Sequence, residues 1–226
     1  MDINLNNSNQ IQEHYDLSLK HPSRFIIFGV SGSGKTTFLR KMLIYMKELF
    51  GFLFDRIIYF SGQGFIDDDE IHGIPNEKIS IINKDFIEQI NPKSKNLLIL
   101  DDNMHQITND MVFSDIFTKY SHHLNMSVIF IVQNLFPKSK FMPEIRSNNN
   151  YFIFMSNPGD KQQIKNISRR IDGTTFISDV FQNVTNNNPF SYLFVDLHQE
   201  TPDEIRVRTN VFPNEETFVF VKVPKI

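Results

Sequence analysis

From Arg24 onward the chain reads as short, nearly unbroken apolar runs separated by polar turns: 25–28, 57–60, 79–82, 97–100, 128–132, 151–155 and 192–195. Runs of this length without polar alternation are what strands buried on both faces look like. Between them lie stretches with helical periodicity, 36–50, 109–124, 161–171 and 175–184. Strands alternating with helices predict an α/β domain, a mostly parallel sheet with helices on both faces. Segment 61–78 holds Gly62, Gly64, Gly73, Pro75 and the acidic run Asp67-Asp68-Asp69-Glu70, and is expected to be an exposed loop. Residues 1–22 are polar, with Asn4, Asn6, Asn7 and Asn9, and are expected to form a loosely ordered lead-in or a short docking segment. No internal repeat is found, so a single domain over 23–226 is the simplest organisation.

Composition narrows the class. At 226 residues and 40% apolar content the chain supports one substantial core. It has no cysteine, which removes disulfide and thiolate chemistry and suits a reducing setting. No apolar run approaches the roughly 18 residues of a membrane span, and the start of the chain lacks a signal-peptide layout, so a soluble intracellular protein is expected. The net charge of −3 gives no global basic signature for nucleic acid. It is compatible with a ring whose few inward-facing loops do the gripping.

The chemistry lies at Gly29-Val30-Ser31-Gly32-Ser33-Gly34-Lys35-Thr36, which matches G-x-x-x-x-G-K-[ST] after a strand and at the start of a helix. Glycines let successive backbone amides point inward at phosphate oxygens, and the helix adds its positive end. Lys35 supplies an ammonium for the β- and γ-phosphates, the Thr36 hydroxyl is a magnesium ligand, and Thr37 completes the nucleotide-binding set. The expected ligands are therefore ATP and Mg²⁺.

A second acidic site ends the run Asn96-Leu97-Leu98-Ile99-Leu100-Asp101-Asp102. Ligands gather at the carboxyl ends of parallel strands, which places Asp101 beside the phosphate loop as a magnesium holder. Asp102, one residue on, is the candidate general base for the attacking water. Two apolar runs separate the phosphate loop from Leu97, as in the additional-strand (ASCE, RecA-like) branch of P-loop NTPases. In that branch the next strand ends in a polar γ-phosphate sensor, and Gln133 follows the run 128–132. A guanine-specific N-K-x-D is absent, since Asn83-Lys84-Asp85 has its Asp one residue early. The adjacent His122-His123 point about 100° apart on a helix and make a poor chelate. Phe113, Phe117, Phe176 and Phe181 are expected in the core.

These motifs, together with His21-Pro22, Phe117-Thr118-Lys119-Tyr120-Ser121-His122-His123, Ser127 to Phe136, Asn157-Pro158-Gly159-Asp160-Lys161 and Thr201-Pro202-Asp203-Glu204-Ile205-Arg206-Val207-Arg208-Thr209-Asn210, resemble the genome-packaging ATPases of the FtsK/HerA superfamily. The resemblance is nearest to the poxvirus-like enzymes of Polinton/Maverick elements, adintoviruses and virophages, and runs from His21 to Pro213. It implies a homo-oligomeric ring that drives double-stranded DNA into a capsid, with capsid proteins as partners and an infected host cell as the setting, at a cytoplasmic or nuclear assembly site or in the virion. It further implies that Lys35 and Thr36 bind nucleotide, Asp101 holds Mg²⁺, Asp102 is the catalytic carboxylate and Gln133 the sensor. A cation from the neighbouring subunit is also implied. Arg146, Lys161, Arg169 and Arg170 are the candidates, with Arg146 favoured because it follows the sensor strand. The chain departs from its relatives at Gly159, where they carry Arg, and at Asp102, where many carry Glu. The rival functions are a helicase or coupling-protein ATPase and a nucleotide-binding capsid assembly factor.

Overall fold

The computed structural model describes residues 15–61, 70–101, 104–156, 161–186 and 190–222, and the backbone of 4–6. Eleven strands form one sheet: β1 (Asn4–Asn6), β2 (Arg24–Phe28), β3 (Arg56–Ser61), β4 (Glu70–Ile71), β5 (Ile74–Ile79), β6 (Asn96–Asp101), β7 (Met126–Val132), β8 (Tyr151–Met155), β9 (Tyr192–Asp196), β10 (Val207–Thr209) and β11 (Phe218–Val221). Their order across the sheet is β1-β11-β10-β9-β8-β2-β7-β6-β3-β5-β4. The six central strands, β8 to β5, run parallel, and those beyond them on either side join antiparallel.

Five of the apolar runs are the parallel strands β2, β3, β6, β7 and β8, and the run 192–195 is the antiparallel β9; all are apolar because both faces of the sheet are covered. Phe25 and Ile27 face one core with Phe38, Leu39, Met42 and Leu43 of the Lys35–Ile44 helix. Ile26 and Phe28 face the other, with Phe113, Phe117, Ile145, Ile164 and Phe181 from four further helices and a π-helical turn. The four phenylalanines expected in the core, Phe113, Phe117, Phe176 and Phe181, are all buried there. The helix expected over 36–50 is divided at Tyr45 into Lys35–Ile44 and Met46–Phe50, and Gly51 ends it with φ 74°, left-handed backbone that suits glycine. The stretch 109–124 resolves into Met104–Asn109, Met111–Asp115, a π-helical turn over Ile116–Tyr120 and Ser121–His123.

Two expectations are corrected. The strand read at 79–82 is instead Ile74–Ile79, and Ile81 is 67% exposed. This strand lies near the sheet edge, where alternating polar residues and Pro75 are tolerated. Part of the expected loop 61–78 is thus hairpin, while 62–69 lie outside the described residues. Of the N-terminal segment only 4–6 and 15–22 lie among the described residues, and these make contacts with the domain. β1 pairs with β11, Leu19 is buried, and the Leu19 amide donates to the Leu49 carbonyl at 2.7 Å.

The topology decides how the site is built. β7 lies between β2, which leads into the phosphate loop, and β6, which ends in Asp101. The strands that intervene in sequence, β3 and β5, lie outside β6 instead. The inserted strand is therefore β7, the one that leads into Gln133.

Candidate functional site

The carboxyl ends of β2, β7 and β6 open side by side, and the residues that follow them line one cavity of about 320 Å³. Its walls include Ser31, Gly32, Gly34, Lys35, Thr36, Thr37, Asp101 and Gln133. Sequence positions spread over a hundred residues are thus brought together by the parallel register, in which Phe28 pairs with Val132 and Leu100 with Phe130.

The phosphate loop is anchored at both ends. The Gly29 amide donates to the Val132 carbonyl at 3.1 Å, continuing the β2–β7 ladder by one residue. A Cβ on Gly29 would collide with Ser33 Oγ and come within 2.8 Å of Met155 Cβ, so only glycine fits there. At the other end Gly34 caps the Lys35–Ile44 helix with φ 94°. Lys35 turns back over the loop, its Nζ donating to the carbonyl oxygens of Gly29 and Val30 at 2.8 Å each. The loop is held in a cradle shape by the same ammonium that the motif assigns to phosphate.

Asp101 is held from the neighbouring strand. Tyr59, 1% exposed on β3, donates to Asp101 Oδ2 at 2.6 Å. Gln133, by contrast, stands exposed at the cavity wall. The turn that carries it is fixed behind: the Leu135 amide donates to Gln163 Oε1 at 2.6 Å, and the Phe136 amide to Asn134 Oδ1 at 2.8 Å. Arg146 completes this brace by donating to the Leu135 carbonyl, with its guanidinium 4.4 Å from the Phe136 ring centroid.

Among the described residues, every singled-out site residue except the candidate cations Arg146, Lys161, Arg169 and Arg170 belongs to the loop or lines its cavity. Gly29, Val30 and Ser33 belong to the loop without lining that cavity. Arg146 is 9% exposed and lines a separate cavity with Ser147, Arg170 and Arg206. Burial, with the charge of Arg170 behind it, pushes its pKa down. Arg146 is engaged within its own chain, away from the phosphate loop. Asp102 lies outside the described residues. Among the described residues no cluster of three or more His, Asp or Glu could hold a metal, and His122 and His123 present rings 88° apart. Thr36 and Asp101, the two expected magnesium ligands, both line the phosphate cavity.

Two residues at the site were not read from sequence. Tyr59 sits in an apolar strand and looks like core. Phe190 follows an Asn-rich stretch and lines the cavity although 66% exposed. A large aromatic in a polar loop was the available signal.

The sequence model of the family described as "Poxvirus A32 protein" matches residues 11–176. Among curated proteins none matches the chain. Among solved structures, the genome packaging NTPase B204 from Sulfolobus turreted icosahedral virus 2, in complex with ATP-gammaS, aligns with TM-score 0.56 and 12% identity over 83% of this chain and 96% of that one. B204 from Sulfolobus turreted icosahedral virus, described as a DNA-packaging ATPase, aligns with TM-score 0.56 and 12% identity over 85% and 98%. At that identity the likeness is one of fold, and it extends over nearly the whole of B204.

Proposed function

The chain belongs to the poxvirus A32 protein family, and we propose that it is an ATP-hydrolysing DNA translocase that packages double-stranded viral DNA into a capsid. The observation that carries this reading is the single cavity in which the phosphate loop, Asp101 and Gln133 meet, on a sheet with β7 inserted between β2 and β6. The shared fold with B204, a DNA-packaging ATPase by its description, supports the role in packaging.

In this reading the loop amides and the positive end of the Lys35–Ile44 helix bind the triphosphate. Lys35 leaves the carbonyls of Gly29 and Val30 for the β- and γ-phosphates, a transfer between two sets of oxygen acceptors that leaves the ammonium paired throughout. Thr36 and Asp101 are the residues that would hold magnesium, and Tyr59 aims the Asp101 carboxylate. Magnesium, when bound, supplies positive charge against the β- and γ-oxygens. Asp102 takes a proton from the attacking water as its oxygen bonds to the γ-phosphorus and the bond to the β–γ bridging oxygen breaks, leaving ADP and phosphate. Gln133 orients that water by hydrogen bonds. Arg146 acts through the turn that carries Gln133. The cation supplied across a homo-oligomeric ring then falls to Lys161, Arg169 or Arg170. Capsid proteins are the docking partners, and the site of action is the infected cell. No helix among the described residues is long and apolar enough to cross a membrane.

Steady-state hydrolysis with and without linear double-stranded DNA tests this reading. DNA is expected to raise the rate several-fold, and Lys35→Ala and Asp102→Asn to abolish it. Hydrolysis indifferent to DNA would leave the nucleotide site standing and remove the packaging role.

A further inference from the structure

Beside the phosphate cavity lies a second one of about 340 Å³, and the two share Gly34, Thr37 and Phe190. The second is lined by aromatic and aliphatic side chains, Phe38, Met155, Phe190, Tyr192 and Phe212, with Thr37 and Lys41 as its other side-chain polar groups. Beneath it the rings form a tight set: Phe38 lies 5.0 Å from Phe212 and 4.7 Å from Tyr192 between centroids. Phe190 alone stands open to solvent, at φ 70°, a backbone conformation that residues with a Cβ rarely adopt. Its ring lies against Gly34, where an added Cβ would meet Phe190 Cδ1 at 3.4 Å.

Resting on the nucleotide reading above, we infer that this second cavity holds the nucleobase by stacking, chiefly on Phe190, without reading the base's edge. A triphosphate in the first cavity directs its nucleoside end past Thr37 into the second, because those are the walls the two have in common. Two of the three polar side chains there, Lys41 and Tyr192, are already engaged. Lys41 Nζ pairs with Glu215 at 2.9 Å, and the Tyr192 hydroxyl accepts from the Val211 amide at 2.8 Å and contacts Glu215 at 3.2 Å. No carboxamide or carboxylate side chain lines the cavity among the described residues. A site that rejects the wrong base does so by leaving buried polar groups unpaired, and an apolar wall has no such means. Stacking tolerates every base, since each has a π-face, and favours the larger purines. The chain should therefore turn over ATP and GTP alike, and pyrimidine triphosphates less well.

The test is kcat and KM for ATP, GTP and CTP, with inorganic tripolyphosphate as a competitive inhibitor, for the wild type, Phe190→Ala and Phe190→Tyr. ATP and GTP should agree in kcat/KM within about tenfold. Phe190→Ala should raise KM for each nucleotide about tenfold, and by more than it lowers kcat, with the tripolyphosphate constant unmoved. Phe190→Tyr should restore KM. A preference for one purine beyond about a hundredfold, the range of edge readout, would overturn the inference. So would a tripolyphosphate constant that rises with KM in Phe190→Ala, since Phe190 would then be supporting the phosphate loop. If neither tripolyphosphate nor any nucleotide binds, the nucleotide site itself falls, and this inference with it.

Discussion

Tyr59 donates a 2.6 Å hydrogen bond to Oδ2 of Asp101 from the adjacent parallel strand, in a register that sets Ser61 opposite Asp101. The tyrosine is buried, so its ring cannot swing away, and the carboxylate it holds faces the phosphate cavity with a fixed orientation. Groups that orient a metal ligand are typically worth about 10–100-fold in metal affinity or activity. Tyr59→Phe keeps the ring and removes the bond. It should raise the magnesium concentration needed for half-maximal hydrolysis by about tenfold while lowering stability by only about 1 kcal/mol, read from magnesium titrations and urea midpoints.

Arg146 separates two roles by experiment. A cation that acts only on a neighbouring subunit contributes nothing to the fold of its own chain. Here the guanidinium satisfies the Leu135 carbonyl, and Leu135 is itself buried. Arg146→Ala should destabilise the isolated protomer by about 2–3 kcal/mol, the cost of an orphaned buried acceptor bonded to a charged group. An unchanged urea midpoint with hydrolysis lost would return Arg146 to the role of a cation acting in trans.

Gly29→Ala tests the closeness of the loop to β8. The new methyl would need to displace Ser33 Oγ or the Met155 Cβ, and the latter belongs to a central strand. The expected loss is about 1–3 kcal/mol of stability, together with a marked drop in nucleotide binding as the loop shifts. Gly32→Ala meets nothing within 4 Å, but carries the strain of φ 77°, so its effect should be the milder of the two.

A buried ion pair at the far side of the sheet sets the acid limit of the fold. Arg208 is 2% exposed and reaches Asp196 Oδ2 at 3.9 Å. Burial raises the Asp196 carboxyl pKa, but hydrogen bonds from the His198 ring and amide, with the charge of Arg208, outweigh it and hold the group below its ordinary value of 3.8. A folded-state pKa below the unfolded one gives stability that is full above the unfolded value and is lost as pH falls through the folded value. Urea midpoints should therefore fall below about pH 4 in the wild type. Asp196→Ala should be less stable at neutral pH by about 3–5 kcal/mol, having stranded a buried guanidinium, and should lose less on acidification.

The central sheet and the phosphate loop were legible in the sequence because both rest on local signals. Strands such as Phe25 to Phe28 and Leu97 to Leu100 are covered on both faces and have no polar alternative, and glycine spacing is local by nature. The edges were not legible. β10 is three residues long and carries Arg208, a buried cation whose acceptability depends on Asp196, twelve positions before it and adjacent only in the fold. β5 is half polar because a strand next to the sheet edge need not be apolar on both faces. Arg146 illustrates a further limit. Its position after the sensor strand marked it as a cation for the neighbouring subunit, while its hold on the Leu135 carbonyl of its own chain follows from three-dimensional placement. Tyr59 was invisible for the same reason, being one aromatic among many in a buried strand.

Movement of this protein along duplex DNA tests the central claim most directly. The measurement is displacement of a triplex-forming oligonucleotide from linear double-stranded DNA, with ATP, by the wild type and by Lys35→Ala. The account predicts ATP-dependent displacement by the wild type, none by Lys35→Ala, and an intact duplex afterwards. Separation of the duplex strands, or hydrolysis that proceeds with the oligonucleotide left in place, would contradict it.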